Sequence, residues 1–315
     1  MKFIESLNDG ENVSEIYFVK SKTSAVTKNG KPYDNLIVQD RTGTMDAKIW
    51  SPNSAGIDDF EALDYVEITA SVQVFNGAKQ LNVSRVRKCR EGEYDEANYM
   101  PVSDKDIDKM YAELLELIKS VKTVHYRMLL EDFFEKDEEF IRQFKKSSAA
   151  KSVHHNFIGG LLEHTLSVAK LCNYLASAYD ILNRDLLISA AILHDIAKVK
   201  EFSEFPMNDY TDDGQLLGHI VMGYEMVSER IEDIPGFPKK QASELKHCIL
   251  AHHGELEFGS PKKPALIEAV ALSFADNTDA KIETFKEDIL KPSENEWRYS
   301  RFIESNIRKT TKNQD

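Results

Sequence analysis

Two periodicities divide the chain. Between residues 13 and 89 apolar and polar positions alternate in short runs, the period of a strand with one buried face. From about residue 107 to 285 apolar residues recur every three or four positions, the period of a helix. In the first region VSEIYFVKSKTSAV (13–26), NLIVQD (35–40), TMDAKIW (44–50), DYVEITASVQVF (64–75) and KQLNVSRVRKC (79–89) read as five strands. KNGKPYD, RTG and NGA supply turns between them, and SPNSAGIDDFEAL (51–63) is a loop with room for a short helix. Five strands with an insert between the third and fourth fit a small Greek-key barrel of the OB type.

EGEYDEANYMPVSDKD (91–106) is polar, acidic and contains proline, and reads as a linker. IDKMYAELLELIKSV (107–121) and HYRMLLEDFFEKDEEFIRQFKKS (125–147) then carry the helical period. It continues through LLEHTLSVAKLCNYLASAY (161–179), RDLLISAAILHDIAKV (184–199), LLGHIVMGYEMVSERI (216–231), SELKHCILAHHG (243–254) and PALIEAVALSFADNTDAKIETF (264–285). No strand pattern stands out there, and RKTTKNQD at the end is polar and prone to fray. The expectation is a multidomain α+β protein, a small N-terminal β-barrel followed by an all-α bundle. Its divisions are 1–92 for the barrel, 93–150 for a linker and helical connector, 151–300 for the bundle and 301–315 for a polar tail.

With 315 residues, 42% hydrophobic and 30% charged, the chain can bury more than one core. No run of about 18 apolar residues suggests a membrane span. MKFIESLNDGENVSEI at the start is acidic and lacks an apolar signal core, so secretion is not expected. Cys89, Cys172 and Cys248 form no CxxC pair, and their odd number suits a reducing cytoplasm. A net charge of −13 excludes a general basic coat for nucleic acid. It leaves room for local basic patches and for acidic sites that hold metals.

Nine histidines occur, eight of them between 154 and 253. Alone, a histidine–aspartate dipeptide is uninformative. His194 and Asp195, however, interrupt an otherwise apolar run from Leu186 to Ala197. A helix apolar nearly all round is buried, and a buried carboxylate without a partner costs several kcal/mol or takes up a proton. His164, His219, His252, His253 and Asp276 lie in comparable apolar surroundings. A helical bundle can bring such side chains to one interior point, where a divalent metal would neutralise the carboxylates and bind neutral imidazoles. Mixed histidine and aspartate ligands leave Mn, Fe, Co, Ni and Zn open.

This order of residues, His164, His194-Asp195, His219, His252-His253 and Asp276, resembles the HD-domain metal phosphohydrolases, and the additional histidines resemble their dinuclear branch. HHNFIGGLLEHTLSVA, LLISAAILHDIAKV and AHHGELEFGSPKKP, together with the preceding barrel, resemble the YhaM family of bacterial 3′-5′ exoribonucleases over nearly the whole chain. The resemblance implies that His164, His194, Asp195 and Asp276 hold one metal ion. Asp195 would bridge to a second, bound also by His219, His252 and His253. A carboxylate suits bridging because it offers two oxygens where each imidazole offers one lone pair. The resemblance implies manganese, and Lys198 of the HDxxK pattern as a contact to substrate phosphate. The implied activity is metal-dependent 3′-5′ exonucleolytic hydrolysis of single-stranded RNA, with single-stranded DNA also open. A metal-bridged hydroxide would attack, and nucleoside 5′-monophosphates would leave.

OB barrels hold single strands with aromatic and basic side chains. Phe18, Lys20, Lys22, Tyr33, Lys48, Trp50, Phe75, Lys79 and Arg85 are the candidates, although strand alternation turns half of such positions inward, and Trp50 and Phe75 are equally core-like. PKKP (261–264) is a candidate basic lip. His154 and His155 are candidates for a phosphate or leaving-group contact or for a structural role. Asp279 reaches either the pocket rim or the surface, and His247 and His125 are not expected among the ligands. Two other functions fit the same residues: a phosphodiesterase or phosphatase for a small nucleotide, and a non-catalytic nucleic-acid binder with a structural metal. Homo-oligomers are compatible with the acidic surface.

Overall fold

The computed structural model describes residues 2–27, 29–75, 77–95, 98–151, 155–290, 296–300 and 303–311. It divides into two compact units, residues 1–102 with 204–208, and residues 103–203 with 209–315.

The first unit is a closed barrel of β1 (Asn12–Val26), β2 (Pro32–Asp40), β3 (Gly43–Ile49), β4 (Tyr65–Phe75) and β5 (Ala78–Lys88), in the order β1-β2-β3-β5-β4. All pairs are antiparallel except β3 with β5, which gives the five-stranded OB topology. Alternation fills the interior: Leu36 and Val38, Met45, Ala47 and Ile49, and Val66, Ile68, Ala70 and Val72 are buried while the intervening residues face out. A register shift between Val19 and Ser21 bends β1 where the barrel closes. The loop at 51–64 contains no helix. Its proline, glycine and paired aspartates favour successive turns instead.

Tyr94 and Tyr99, within the stretch expected to be a linker, pack onto the barrel. Tyr94 stacks on Tyr65 at 3.8 Å, Tyr99 meets Tyr65 edge-on at 5.1 Å, and Gln39 donates to the Tyr99 carbonyl at 3.0 Å. These rings cover the outer face of β1, so Phe18 is fully buried although alternation turns it outward.

The second unit comprises α1 (Ile107–Lys119), α2 (Val124–Glu131), α3 (Glu138–Lys146), α4 (Gly160–Ala178), α5 (Arg184–Leu193), α6 (Lys198–Glu201), α7 (Asp212–Leu216), α8 (Gly218–Asp233), α9 (Lys239–Leu250) and α10 (Ile267–Leu290). Local side chains start them. Asp106, Asp137 and Asn183 accept hydrogen bonds from the first turns of α1, α3 and α5. Helix α5 is buried from Leu186 to Leu193, as an all-apolar helix must be, and packs against α2, α4, α9 and α10. The segment expected to be a connector is part of this core. Phe133, Phe134, Phe140 and Phe144 interlock and join the cluster formed by α4 and α5.

Two further results depart from the expected pattern. Beyond α10 a hairpin forms from β6 (Trp297–Ser300) and β7 (Ser305–Arg308), within residues read as helix-only or frayed. Four-residue strands are too short for alternation to declare them, yet buried Ser300 donates to Asp288 and Ile307 is covered. Helix α5 also stops one residue before His194, so the HD pair sits in a turn past the helix end. The His194 ring binds the Ala191 carbonyl at 2.8 Å, one of the carbonyls that a terminating helix leaves without a partner. Among the described residues no helix is long and apolar enough to cross a membrane.

Candidate metal centre

The histidines that end α5 and α9 are placed by the same device. His252 follows α9, and its Nδ1 binds the Ile249 carbonyl at 2.7 Å, as His194 Nδ1 binds that of Ala191 at 2.8 Å. Each donates to a carbonyl three residues back, which fixes the tautomer and directs Nε2 away from the helix. His253 Nδ1 binds the Phe258 carbonyl at 2.8 Å. Gly254, at φ 80, lets this turn pass so close to α10 that a Cβ there would lie 2.5 Å from Ser273 Oγ. His219, near the start of α8, turns Nδ1 to Glu201 Oε1 at 3.0 Å, and His164 on α4 turns Nδ1 to Asp279 Oδ2 at 2.8 Å. Five imidazoles from four helices and their ends therefore have Nδ1 engaged outward and Nε2 turned inward.

Asp195 lies where these Nε2 atoms converge. Its Oδ2 is 3.3 Å from both His164 and His194, and its Oδ1 is 3.3 Å from His219 and 3.7 Å from His252. Asp276 Oδ1 completes the first side, 3.2 Å from His164 and 3.9 Å from His194. Two ligand-like trios flank Asp195, His164-His194-Asp276 and His219-His252-His253, each compact enough for a single ion, and a third, His155-His164-Asp279, shares His164. One oxygen of Asp195 faces each flanking trio. Lys198 Nζ sits 2.7 Å from Asp195 Oδ2.

The electrostatics are those of a site with too many inward donors. Burial opposes ionisation of Asp195, but Lys198 and His194 hold its carboxyl well below the usual carboxylate range. Burial also opposes the charged form of His164, yet its bonds to Asp195, Asp276 and Asp279 hold it well above the usual histidine range. His252 is driven well below that range by burial and by His194 and His253, and His253 is lowered by burial and His219. Burial works against the Lys198 ammonium, and Asp195 outweighs it, raising Lys198. His219 Nε2 and His252 Nε2 are buried with no hydrogen-bond partner. Buried nitrogens rarely lack one. Neutral imidazoles whose lone pairs face a shared carboxylate are suited to divalent ions bound through nitrogen and oxygen, so the residues present fit such a group.

The other anticipated residues are placed differently. His155 is 2% exposed and its Nε2 binds Asp279 Oδ2 at 3.0 Å, so it faces the protein interior and not a nucleic acid. Gly160 is needed for that turn, since a Cβ there would stand 2.0 Å from the His155 carbonyl oxygen. His154 lies outside the described residues. Asp279 is buried, 5% exposed, with bonds to His155, His164 and Ser167 that hold its carboxyl far below the usual range against the effect of burial. His247 stands apart, its Nε2 accepting from the Ala265 amide, and His125 lies against the Phe237 ring. Sequence reasoning alone does not identify Asp279 and Glu201 as supports. The available signal was Asp279 three residues after Asp276, on the same helical face.

On the barrel, buried Phe18 is excluded as a strand contact. Trp50 (48% exposed) and Phe75 (60%) lie outside the core. Trp50 stacks on Tyr33 at 5.3 Å, with Lys48 Nζ 5.5 Å from the Tyr33 ring. Beside them Lys48, Lys79, Phe75, Asn35 and Asp46 line a groove of about 590 Å³. Lys22 turns inward to the Phe60 carbonyl at 2.6 Å, while Lys20 and Arg85 are exposed.

A family model described as HD domain matches residues 161–281. The 3′-5′ exoribonuclease YhaM of Bacillus velezensis is 32% identical over 274 residues, covering 87% of this chain and 86% of that protein. The 3′-5′ exoribonuclease YhaM of Bacillus subtilis is 32% identical over 288 residues, 90% of each. Among solved structures, the second OB-fold domain of replication protein A from Methanococcus maripaludis covers 29% of this chain and 96% of its own length, at 16% identity and a TM-score of 0.23.

Proposed function

The chain belongs to the YhaM family of 3′-5′ exoribonucleases, and from that premise we propose that it hydrolyses single-stranded RNA from the 3′ end, releasing nucleoside 5′-monophosphates in the cytoplasm. Single-stranded DNA is a second substrate of the same chemistry. The observation that carries the reading is the convergence of four Nε2 atoms, those of His164, His194, His219 and His252, on the two oxygens of buried Asp195, with His253 beside the last two. In this reading His164, His194 and Asp276 would hold one divalent ion and His219, His252 and His253 another, with Asp195 offering one carboxylate oxygen to each. Manganese is the first choice of ion. When bound, the ions supply Lewis-acid activation of water and neutralisation of phosphoryl charge.

The chain's own residues do the rest. The carbonyl and carboxylate partners of each Nδ1 keep the ligand rings in the tautomer that presents Nε2. Lys198, its ammonium already in the centre 2.7 Å from Asp195 Oδ2, is the cation for a non-bridging phosphate oxygen. Water adds to the terminal phosphorus, and the 3′-oxygen of the preceding ribose leaves with a proton. On the barrel, Tyr33 and Trp50 offer faces for bases, and Lys48 and Lys79 offer charge for the backbone.

RNA labelled at either end, incubated with Mn²⁺, tests the reading. Stepwise loss of the 3′ label with a shortening 5′-labelled ladder is expected, and Asp195→Ala removes it while the helical circular dichroism persists. Activity retained in Asp195→Ala refutes the site. Cleavage of a cyclic nucleotide without cleavage of RNA replaces the proposed substrate with a small one.

A further inference from the structure

Asp279 and Glu201 stand outside the two trios that flank Asp195, and each holds one histidine of one of them. His164 presents Nε2 to Asp195 and Asp276 and Nδ1 to Asp279 Oδ2 at 2.8 Å. The two nitrogens of an imidazole point in different directions, so Asp279 lies behind the ring, away from the centre. Its carboxylate is filled from that side, by His155 Nε2 at 3.0 Å and by Ser167 Oγ. Glu201 Oε1 plays the matching part for the second trio, accepting from both His219 Nδ1 and the His219 backbone amide at 3.0 Å. The remaining three rings, His194, His252 and His253, lean on main-chain carbonyls.

The contrast is chemical. A carbonyl orients an imidazole and fixes its tautomer, whereas a carboxylate does both and adds a full negative charge that makes the far nitrogen a stronger donor. Each trio contains one carboxylate-backed ring. We propose that Asp279 and Glu201 are positioning residues that set the affinities of the two metal positions separately, Asp279 for the position formed by His164, His194 and Asp276, and Glu201 for the position formed by His219, His252 and His253. The inference rests on the two-ion reading above. It adds that the two positions are tuned by different side chains, so that one can be weakened while the other stays filled. His155 acts through Asp279, holding its Oδ2 in place.

Mn²⁺ binding to the full-length protein, followed by calorimetric titration and by the electron paramagnetic resonance of bound manganese, tests this without reference to RNA cleavage. Asp279→Asn and Glu201→Gln keep size and a hydrogen-bond acceptor but remove the charge. Each is expected to weaken one of two ions about 10–100-fold, the range for loss of a ligand's supporting partner, with the coupled two-manganese signal lost at intermediate concentration. Crossed backgrounds identify the ion. In His219→Ala, Asp279→Asn still weakens the remaining ion and Glu201→Gln does not; in Asp276→Ala the order reverses. Equal weakening of both ions by either substitution, or no weakening, overturns the proposal. If the wild-type protein binds no manganese at millimolar concentration, the two-ion reading and this inference both fall. If it binds two ions yet leaves RNA intact, only the substrate assignment falls.

Discussion

Lys198→Met separates the two states of the centre. Lys198 Nζ lies 2.7 Å from Asp195 Oδ2, and the side chains are 15% and 3% exposed. At an effective dielectric of about 20 that separation corresponds to a gross attraction of about 6 kcal/mol. Desolvation of both groups offsets part of it, and removing one partner of a buried pair typically costs about 3–5 kcal/mol because the other charge is stranded. Here the lower end applies, since His164 is held toward its charged form beside the same oxygen. A loss of about 3 kcal/mol in a unit of roughly 200 residues lowers its melting temperature by about 6–12 °C.

With divalent ions bound the balance of charge at Asp195 changes. Their charge compensates Asp195, so the lysine is no longer needed for that purpose. The expected loss in the Mn²⁺-saturated variant is below about 1 kcal/mol, the scale of an ordinary partly exposed ion pair. Activity moves the other way. A lost charged contact to the scissile phosphate removes about 1.5–3 kcal/mol, so kcat/KM on RNA falls roughly 10- to 150-fold in the loaded variant, whose stability is nearly normal. The assay is thermal melting by far-ultraviolet circular dichroism with chelator and with Mn²⁺, for wild type and variant, alongside steady-state cleavage. An unchanged melting temperature under chelator, or the same depression in both states, refutes the reasoning.

Three further outcomes are expected. Trp50→Ala should weaken binding of an RNA oligonucleotide about tenfold, within the range for one lost base stack, while hydrolysis of a small nucleotide ester is unaffected; fluorescence anisotropy with unchanged affinity would remove Trp50 from the strand path. Gly160→Ala places a Cβ 2.0 Å from the His155 carbonyl, so chemical denaturation should register a loss of about 1–3 kcal/mol, as for other overpacked sites, whereas a wild-type midpoint would contradict the tight turn. Asp137 is held below the usual carboxylate range by the Phe140 amide and Arg230, with burial opposing. A depressed folded-state pKa contributes stability above the unfolded value near 4 that disappears as pH falls through the folded one. The melting difference between wild type and Asp137→Asn should therefore shrink on acidification from about pH 6 to below pH 3, and a difference that grows would reverse the sign.

The sequence betrayed the ligands because of their surroundings. His194 and Asp195 are conspicuous inside Leu186–Ala197, and the same holds for His164 and His252. Polar residues where a core is expected demand partners. Asp279 and Glu201 gave no such signal, since an acid on a mixed helix face or in a short polar segment looks ordinary until the fold brings His164 and His219 against it. Phe18 misled for the opposite reason. Strand alternation correctly turns it away from the barrel interior, but Tyr65 and Tyr99 then close over it, a long-range contact that a period of two cannot carry. The end of α5 escaped as well. LHDIAKV continues a good helical pattern, yet the helix stops at Leu193 and the His194 ring takes the carbonyl of Ala191 that this frees.

One rule explains why the centre is built from imidazoles at helix ends. Each histidine has two ring nitrogens, and a buried one needs a partner for both. A terminating helix offers free carbonyls at a fixed offset, so a histidine just past it satisfies Nδ1 locally and must look elsewhere for Nε2. His194 and His252 do this at α5 and α9, and His253 uses the Phe258 carbonyl of the following turn. What remains is a cluster of Nε2 atoms in which His164 and His194 face each other at 3.3 Å while His219 and His252 have no hydrogen-bond partner. Backbone geometry that is cheap to form thus leaves unpartnered imidazole nitrogens at one interior point. Cation binding there would contribute directly to folding stability, which is why the melting experiment under chelator and the cleavage experiment with Mn²⁺ report on the same atoms.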